Sequence, residues 1–392
     1  MVGSWPRSRE LIFAQRAKQS GRAGREEFDR LADAEVERLL RLQGDLGLDI
    51  VTDGELRRDN FYSFVAEKLE GVRLMTLAEM MEHVEDKEGF EELLQRLDVP
   101  SFAIRTPTCM GEIAMREPLA LNDFLFARRS TDLPIKVTLP GPYILTRALW
   151  VPEITSRAYP SKEALGDVVV ALLSAELRAL AEAGAAFVQF DEPVLTELVF
   201  TQGKTRTFMC AALAARSDPT EELEWAVTML NQVVGSLEAV SGDDRVDGSR
   251  RASAPDRRPA RRPIIGLHVC RGNWSTREET LLVGGYAPLA PWFERMHVDQ
   301  LVLEYATPRA GDLIPFGDKA LGLGAVNPRT PEVESPDSIS ARIDEALMYW
   351  SLDRLALNPD CGFATFSERE MNSEQVATEK MRALVSAARR YR

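Results

Sequence analysis

The chain predicts an α/β fold, a (β/α)8 TIM barrel with two insertions, and three observations lead there. Short apolar runs alternate with long amphipathic stretches from one end to the other, the pattern of a parallel sheet wrapped in helices. The 392 residues, 45% of them hydrophobic, suit one elaborated barrel, since such barrels need about 250 residues and accept insertions. Residues able to do chemistry gather at the C-terminal ends of the runs, the face on which barrel active sites are built. Residues 1–392 are therefore read as a single domain.

The elements follow in order. The chain opens on Val2-Gly3-Ser4, so a first strand is either a stub or begins upstream of residue 1. Arg25–Leu46 has helical periodicity, and Asp49–Asp53 (DIVTD) is the second strand. The first insertion, about 70 to 120, lies between strands two and three and carries a charged helical stretch, MTLAEMMEHVEDKEGFEELLQRL. Strands three and four are Lys136–Leu139 and Phe187–Phe190, joined through the helix Ser161–Ala183. The second insertion, 241–263, precedes strand five and has almost no large apolar side chains. It cannot offset its ordering entropy by burial and is expected to be a mobile surface loop. Strands five to eight are Ile264–His268, Leu301–Glu304, Leu321–Val326 and Leu355–Asn358, with helices at Ser338–Ser351 and Ser367–Arg390. Nearly continuous apolar runs of this kind are strands buried on both faces.

Composition excludes several classes. A net charge of -13 argues against nucleic acid and anionic membranes, which reward clustered Lys and Arg. The arginines of 241–263 lack interleaved aromatics and do not change that reading. No apolar run reaches the about 18 residues of a membrane span, and MVGSWPRSRE lacks the regions of a signal peptide. Four cysteines in a chain of this length do not make a disulfide framework, and a cytoplasmic location is expected.

His268-Val269-Cys270 ends strand five. Period-two alternation sends an imidazole and a thiol out together. Glu304 ends strand six and Cys361 follows strand eight in LNPDCGF. Two thiolates, an imidazole and a carboxylate converging on one face form a tetrahedral Zn2+ site by ligand type. Each is ordinary alone, but the chain has only three histidines and four cysteines. His83 and His297 read as surface residues, Cys109 and Cys210 as buried ones. Asp53-Gly54-Glu55 follows strand two and Asp191-Glu192-Pro193 strand four. Carboxylates so placed face a polar ligand such as an ammonium group, or else cap helices or pair with Arg57 or Arg58. Gly3 and Ser4 offer an N–H and a hydroxyl to a carboxylate, or Ser4 caps a first helix. Gly141-Pro142 is a turn signal.

Together these residues resemble the C-terminal catalytic barrel of cobalamin-independent methionine synthase, in its short core form. The resemblance covers nearly the whole chain outside the insertions. It rests on Val2-Gly3-Ser4 with Pro6, TDGE at 52–55, LPGP at 139–142, FDEP at 190–193, His268-x-Cys270, Glu304, and NPDCG ending in Cys361 and Gly362. It implies a zinc-methyltransferase domain in which His268, Cys270, Glu304 and Cys361 hold the metal. It further implies that Gly3, Ser4, Glu55 and Asp191 bind homocysteine, the carboxylates meeting its ammonium and the Gly3-Ser4 backbone its carboxylate. Zinc deprotonates a bound thiol, and the thiolate is the nucleophile.

Two departures bear on the methyl donor. Where the long form has a histidine after strand seven, this chain reads VNPRTPEVES with Arg329 near that place; a guanidinium is no general acid at neutral pH. The aromatic expected after LPGP for a pterin ring is missing there, although Trp150 lies a few residues on. A methyl group on a folate amine leaves only when the nitrogen is protonated, whereas one on corrinoid cobalt needs no acid. The expected donors are methylcobalamin or a corrinoid protein, or methyltetrahydrofolate, leaning to the corrinoid. One alternative keeps the metal and changes the electrophile, an epoxide–thiol transferase of coenzyme M type, whose thiol ends in a sulfonate. Another class is a non-catalytic corrinoid- or zinc-binding module of a methyl-transfer assembly. A porphyrin-type decarboxylase on the same barrel has no use for four zinc ligands.

Overall fold

The structure, a computed structural model, describes residues 1–19, 24–83, 87, 105–200, 218–241, 262–273, 275, 277, 282–367 and 371–392. Strands β1 (Leu69–Thr76) and β2 (Arg105–Met115) form an antiparallel pair outside the main sheet. The main sheet is parallel, with its six strands in sequential order. They are β3 (Lys136–Pro140), β4 (Phe187–Asp191), β5 (Ile264–Val269), β6 (Gln300–Glu304), β7 (Ala320–Val326) and β8 (Leu355–Pro359). Sequential parallel order with helical crossovers is the winding of a barrel. Each of the six strands expected from Lys136 onward is present, longer by one residue at one end or the other.

The two remaining barrel positions are not full strands. Asp49–Asp53, expected as strand two, is reduced to a parallel bridge between Val51 and Ile135. Val51 O accepts from Lys136 N at 2.8 Å, and Val51 N donates to Pro134 O at 2.9 Å. The N-terminal segment takes the other position. Trp5 N donates to Gly54 O at 3.0 Å on one side, and Phe363 N to Ser4 O at 2.9 Å on the other. It joins the turn after Val51 to the chain leaving β8, and it does so only at the upper, C-terminal end of the barrel.

Inside the barrel the layers are filled by large residues opposite glycines. A Cβ at Gly266 would lie 2.4 Å from the Phe187 ring, so the glycine of IIGLH exists to admit that ring. Val2, Phe187 and Val302 form the small apolar cluster of the interior.

Helix α1 is Arg9–Gln19 and α2 is Arg25–Leu46, the latter with the predicted bounds and a left-handed Gly47 (φ 84°) at its end. The helix α3, Leu121–Ser130, precedes β3, and α4, Pro142–Leu149, follows it. Ser161 caps α5, Lys162–Ala183. After β4 come α6 (Val194–Phe200) and α7 (Pro219–Ser241). Two predicted helices are misplaced. The one expected at Ser338–Ser351 is α9, Pro336–Ala346, after the short α8 (Ala290–Arg295); Ser335 caps it and Pro336 occupies its first turn. The one expected from Ser367 is α10, Glu374–Ala388, capped by Ser373. Ser367 instead donates its N–H to Asp59 O at 2.7 Å, tying the chain across the barrel mouth.

In the stretch expected as the first insertion, about 70 to 120, the structure shows the β1–β2 pair and a short helical stretch, Leu77–His83; most of the expected charged helix lies outside the described residues. The expected loop at 241–263 also lies outside them, save its ends. Among the described residues no helix is long and apolar enough to cross a membrane.

Trp5 is fully buried and meets the Phe363 ring edge-on at 5.6 Å. Trp5→Ala is expected to cost about 3–5 kcal/mol, read as a lower urea midpoint. An unchanged midpoint would show that the N-terminal segment does not hold the barrel closed.

Candidate functional site

Five chain segments meet at the upper end of the barrel: the N-terminus, the stretch from Glu55 to Tyr62, and the chain leaving β4, β5 and β8. One ligand atom from each of His268, Cys270 and Cys361 lies within 4.8 Å of the others, and all three residues are buried. Strand alternation delivers the first two from β5, and the NPDCG turn after β8 delivers the third.

His268 is oriented from behind. Its Nδ1 lies 2.9 Å from Asp191 Oδ1, and its Nε2 lies 3.4 Å from Asp360 O. Burial draws the imidazole down, but the Asp191 bond and the neighbouring Cys270 outweigh it and raise the ring to about 9. The thiols are unequal. Cys361 donates to Cys270, which holds Cys270 below its ordinary value against burial, while that bond and burial push Cys361 well up.

Glu304 is not part of this group of three. Its Oε1 accepts from Arg271 N at 3.1 Å and from the Asn273 amide. Its Oε2 accepts from Arg271 Nη1 at 3.3 Å and Arg309 Nη2 at 3.2 Å. Four donors on two oxygens leave the carboxylate satisfied where it stands. The expected four ligands are present in sequence, and three of them are together.

The expected substrate residues line one cavity with that trio. Val2, Gly3, Ser4, Glu55 and Asp191 face His268, Cys270 and Cys361, and Phe61, Tyr62 and Phe366 wall the cavity. Glu55 has a left-handed backbone (φ 53°), a conformation that costs a non-glycine residue about 1–3 kcal/mol and persists only where its surroundings enforce it. Asp53 Oδ1 holds its N–H at 3.0 Å, and Arg7 Nη2 holds its carbonyl at 2.7 Å. Its Oε1 accepts from the Thr138 hydroxyl at 2.8 Å, which in turn accepts from Arg58 Nη1 at 3.0 Å. Burial raises the Glu55 carboxyl, Arg58 opposes that, and Asp191 adds to it. A Cβ at Gly3 would sit 2.1 Å from Glu55 Oε1, and one at Gly362 would sit 2.1 Å from Ser4 Oγ. Both glycines are small because the site's own side chains occupy their space.

The competing structural roles fall on other residues. Ser8, not Ser4, caps α1, through Leu11 N at 3.1 Å. Arg57 pairs with Asp33 and Asp123 rather than with the TDGE acids. In FDEP the helix cap is Glu192, which accepts from Tyr143 N at 2.8 Å and Ile144 N at 3.0 Å at the start of α4. Burial raises Glu192 to about 8 against those bonds. Arg329 is buried with its N–H on Asn327 Oδ1 at 3.0 Å. Trp150 is half-buried at the end of α4. Cys109 is buried, as expected, and Cys210 lies outside the described residues. His297 is exposed, and His83 is half-buried beside Glu153 at 3.1 Å. Arg58, expected as an alternative partner of the TDGE and FDEP acids, reaches Glu55 through the Thr138 hydroxyl, whereas sequence reasoning missed Arg7, Thr138, Lys136 and Gln189. The signal for the last two was available, because Lys and Gln sit inside the runs KVTL and FVQF that otherwise read as doubly buried.

The chain is similar to known proteins over nearly all of its length. Residues 1–229 and 265–390 match the family described as cobalamin-independent synthase, catalytic domain. A methionine synthase of Saccharolobus solfataricus is 24% identical over 99% of this chain and 93% of its own length. An uncharacterized Bacillus subtilis protein is 28% identical over 99% and 92%. Among solved structures, a B12-independent methionine synthase from a Shewanella species, in complex with selenomethionine, has a TM-score of 0.66 at 20% identity, covering 94% of this chain and 90% of that one. A methyltransferase from Methanosarcina mazei has a TM-score of 0.51 at 17% identity, covering 100% and 93%. The fold is the TIM barrel of these catalytic domains.

The interlock of LPGP with FDEP gives a direct test. A Cβ at Gly141 would lie 2.1 Å from Glu192 Oε1. Gly141→Ala is therefore expected to cost about 1–3 kcal/mol, measured by denaturant unfolding. A variant as stable as the parent would mean that Glu192 does not seat against this turn.

Proposed function

The chain belongs to the cobalamin-independent methionine synthase family, and from that premise we propose that it is a zinc-dependent methyltransferase that methylates the thiol of homocysteine to give methionine. The observation that carries the reading is one cavity holding both a soft metal-binding trio and two carboxylates. Thiolates with an imidazole suit zinc rather than magnesium or calcium. His268, Cys270 and Cys361 would hold the ion, with Glu304 as the fourth ligand carried over from the family resemblance. Bound zinc would deprotonate the substrate thiol near neutral pH while leaving the sulfur electron-rich.

The chain's own residues account for the rest of the substrate. Asp191 and Glu55 offer negative charge to an ammonium group. The Gly3-Ser4 backbone meets the carboxylate at the opposite end of an amino-acid thiol. Phe61 and Phe366, half-buried where they line the cavity, would shield a bound thiol from water. In sequence, Arg329 stands near the place where the long form of the family has its histidine, and a guanidinium cannot donate a proton at neutral pH. A methylcorrinoid, free or carried on a protein, is therefore the favoured donor over methyltetrahydrofolate. The two acids disfavour a sulfonate-bearing thiol and hence the epoxide–thiol reaction. A cytoplasmic location accords with a substrate drawn from amino-acid metabolism.

The experiment is methionine formation from homocysteine by zinc-loaded protein, with methylcobalamin and methyltetrahydrofolate in parallel. Turnover with the first donor is expected. No turnover with either, at full metal occupancy, would count against homocysteine methylation and for a binding module or another electrophile.

Two sets of variants divide metal from substrate. Cys270→Ala and Cys361→Ala are each expected to lose zinc on dialysis and all activity, and full occupancy in either would remove it from the ligand set. Glu55→Gln should keep zinc but weaken homocysteine binding by about tenfold or more, the scale of a lost charge-assisted hydrogen bond. Asp191→Asn should weaken homocysteine binding to the same degree and zinc binding as well, because Asp191 also holds His268 Nδ1 at 2.9 Å. Titration calorimetry showing unchanged affinity would remove that residue from the substrate role.

A further inference from the structure

β3 places a lysine where a barrel interior ordinarily holds a bulky apolar residue. Lys136 is 8% exposed, and burial favours the neutral amine unless something opposes it. Its Nζ donates to Gln189 Oε1 at 2.9 Å and lies 5.5 Å from the centre of the Phe187 ring. Burial draws Lys136 down while the Asp191 and Glu55 carboxylates hold it up, leaving it at about 8.

The hydrogen bonds continue upward in one direction. Gln189 Nε2 donates to Asp191 Oδ1 at 2.8 Å and to Val2 O at 3.3 Å. The same Oδ1 meets His268 Nδ1 at 2.9 Å. An ammonium group only donates, so Gln189 turns its oxygen to Lys136 and its NH2 to Asp191. An ionised carboxylate only accepts, so Nδ1 of His268 carries the proton and Nε2 is the nitrogen free to lose one. Among the described residues both side-chain donors to Asp191 take Oδ1, which leaves Oδ2 for the cavity that Asp191 lines.

We infer that Lys136 and Gln189 are positioning residues of the metal centre: the lysine sets the sense of the Gln189 amide, and the amide's NH2 holds Asp191 so that Oδ1 meets His268 Nδ1 and Oδ2 is presented to the substrate. The inference rests on the zinc reading. Groups that orient a ligating histidine typically contribute about 10- to 100-fold to metal affinity.

The test measures zinc affinity by chelator competition and the imidazole 15N shifts of the zinc-loaded protein. It compares the parent with Lys136→Met and Gln189→Glu. The first keeps the volume and removes the donor. The second keeps the volume and a partner for Lys136 but turns an acceptor toward Asp191 Oδ1. Both are expected to bind zinc about 10- to 100-fold more weakly, with the Nδ1–H resonance of His268 shifted or lost and the thermal midpoint nearly unchanged. Parental affinity with an unchanged Nδ1 signal in the folded variants overturns the proposal. Should Lys136→Met fail to fold, Gln189→Glu decides alone. A parent protein that retains no zinc sinks the metal reading before any substitution is made, so the two failures are told apart.

Discussion

Burying carboxylates beside thiols is the constraint around which the upper half of this barrel is arranged. Asp191, Glu55 and Glu304 are each at most 5% exposed, and an uncompensated buried charge costs several kcal/mol or forces protonation. Each acid has a separate answer. Glu304 takes two guanidinium groups, an amide and a backbone N–H. Glu55 takes a hydroxyl that is itself held by Arg58. Asp191 takes His268 and the Gln189 amide, with Lys136 beneath. The donors come from β3, β4, β5 and the loops above them, so charge compensation is also what aligns those elements.

The seam of the barrel follows from the same need. The N-terminal segment is bonded at Trp5 and Ser4 to neighbours on both sides, although it supplies only the top of a strand. Arg7 explains why the top suffices. It is buried, and its guanidinium reaches the carbonyls of Glu55 at 2.7 Å, Arg58 at 2.9 Å and Ala364 at 3.4 Å. One side chain thereby joins the N-terminal segment, the turn carrying Glu55 and the chain that follows Cys361. Holding the left-handed Glu55 in place and closing the barrel are a single act.

How much of this was legible depended on whether the signal was local. The six regular strands were readable because doubly buried strands are apolar along their whole length. Helix α2 was readable because periodicity and a terminal glycine coincide. The start of α10 was not, since Ser367 and Ser373 are equally good caps by residue type, and only the tie from Ser367 to Asp59 across the mouth separates them. The trio was readable because period-two spacing and strand ends are local facts. The partners of Glu304 were not, because Arg309 and Asn273 lie on different loops and nothing in their sequence neighbourhood points to a carboxylate. Lys136 and Gln189 were visible as anomalies within apolar runs, yet no rule of composition says what a buried lysine in a strand is for.

Under the proposed function, the distribution of charge would bear on substrate choice more than the metal ligands. Any soft thiolate could bind at a His/Cys/Cys centre, so the metal alone does not select among thiols. Selection falls to what lies beside the sulfur. Two buried carboxylates facing one cavity repel an anionic tail and attract an ammonium, and discrimination then comes as much from the penalty on the wrong thiol as from contacts to the right one. Lys136 moderates this from below. It lies under Asp191 and bonds to Gln189, so it stabilises the carboxylate without occupying the place the substrate's ammonium would take. A cation at the cavity surface would cancel the selectivity, whereas one a layer deeper preserves it.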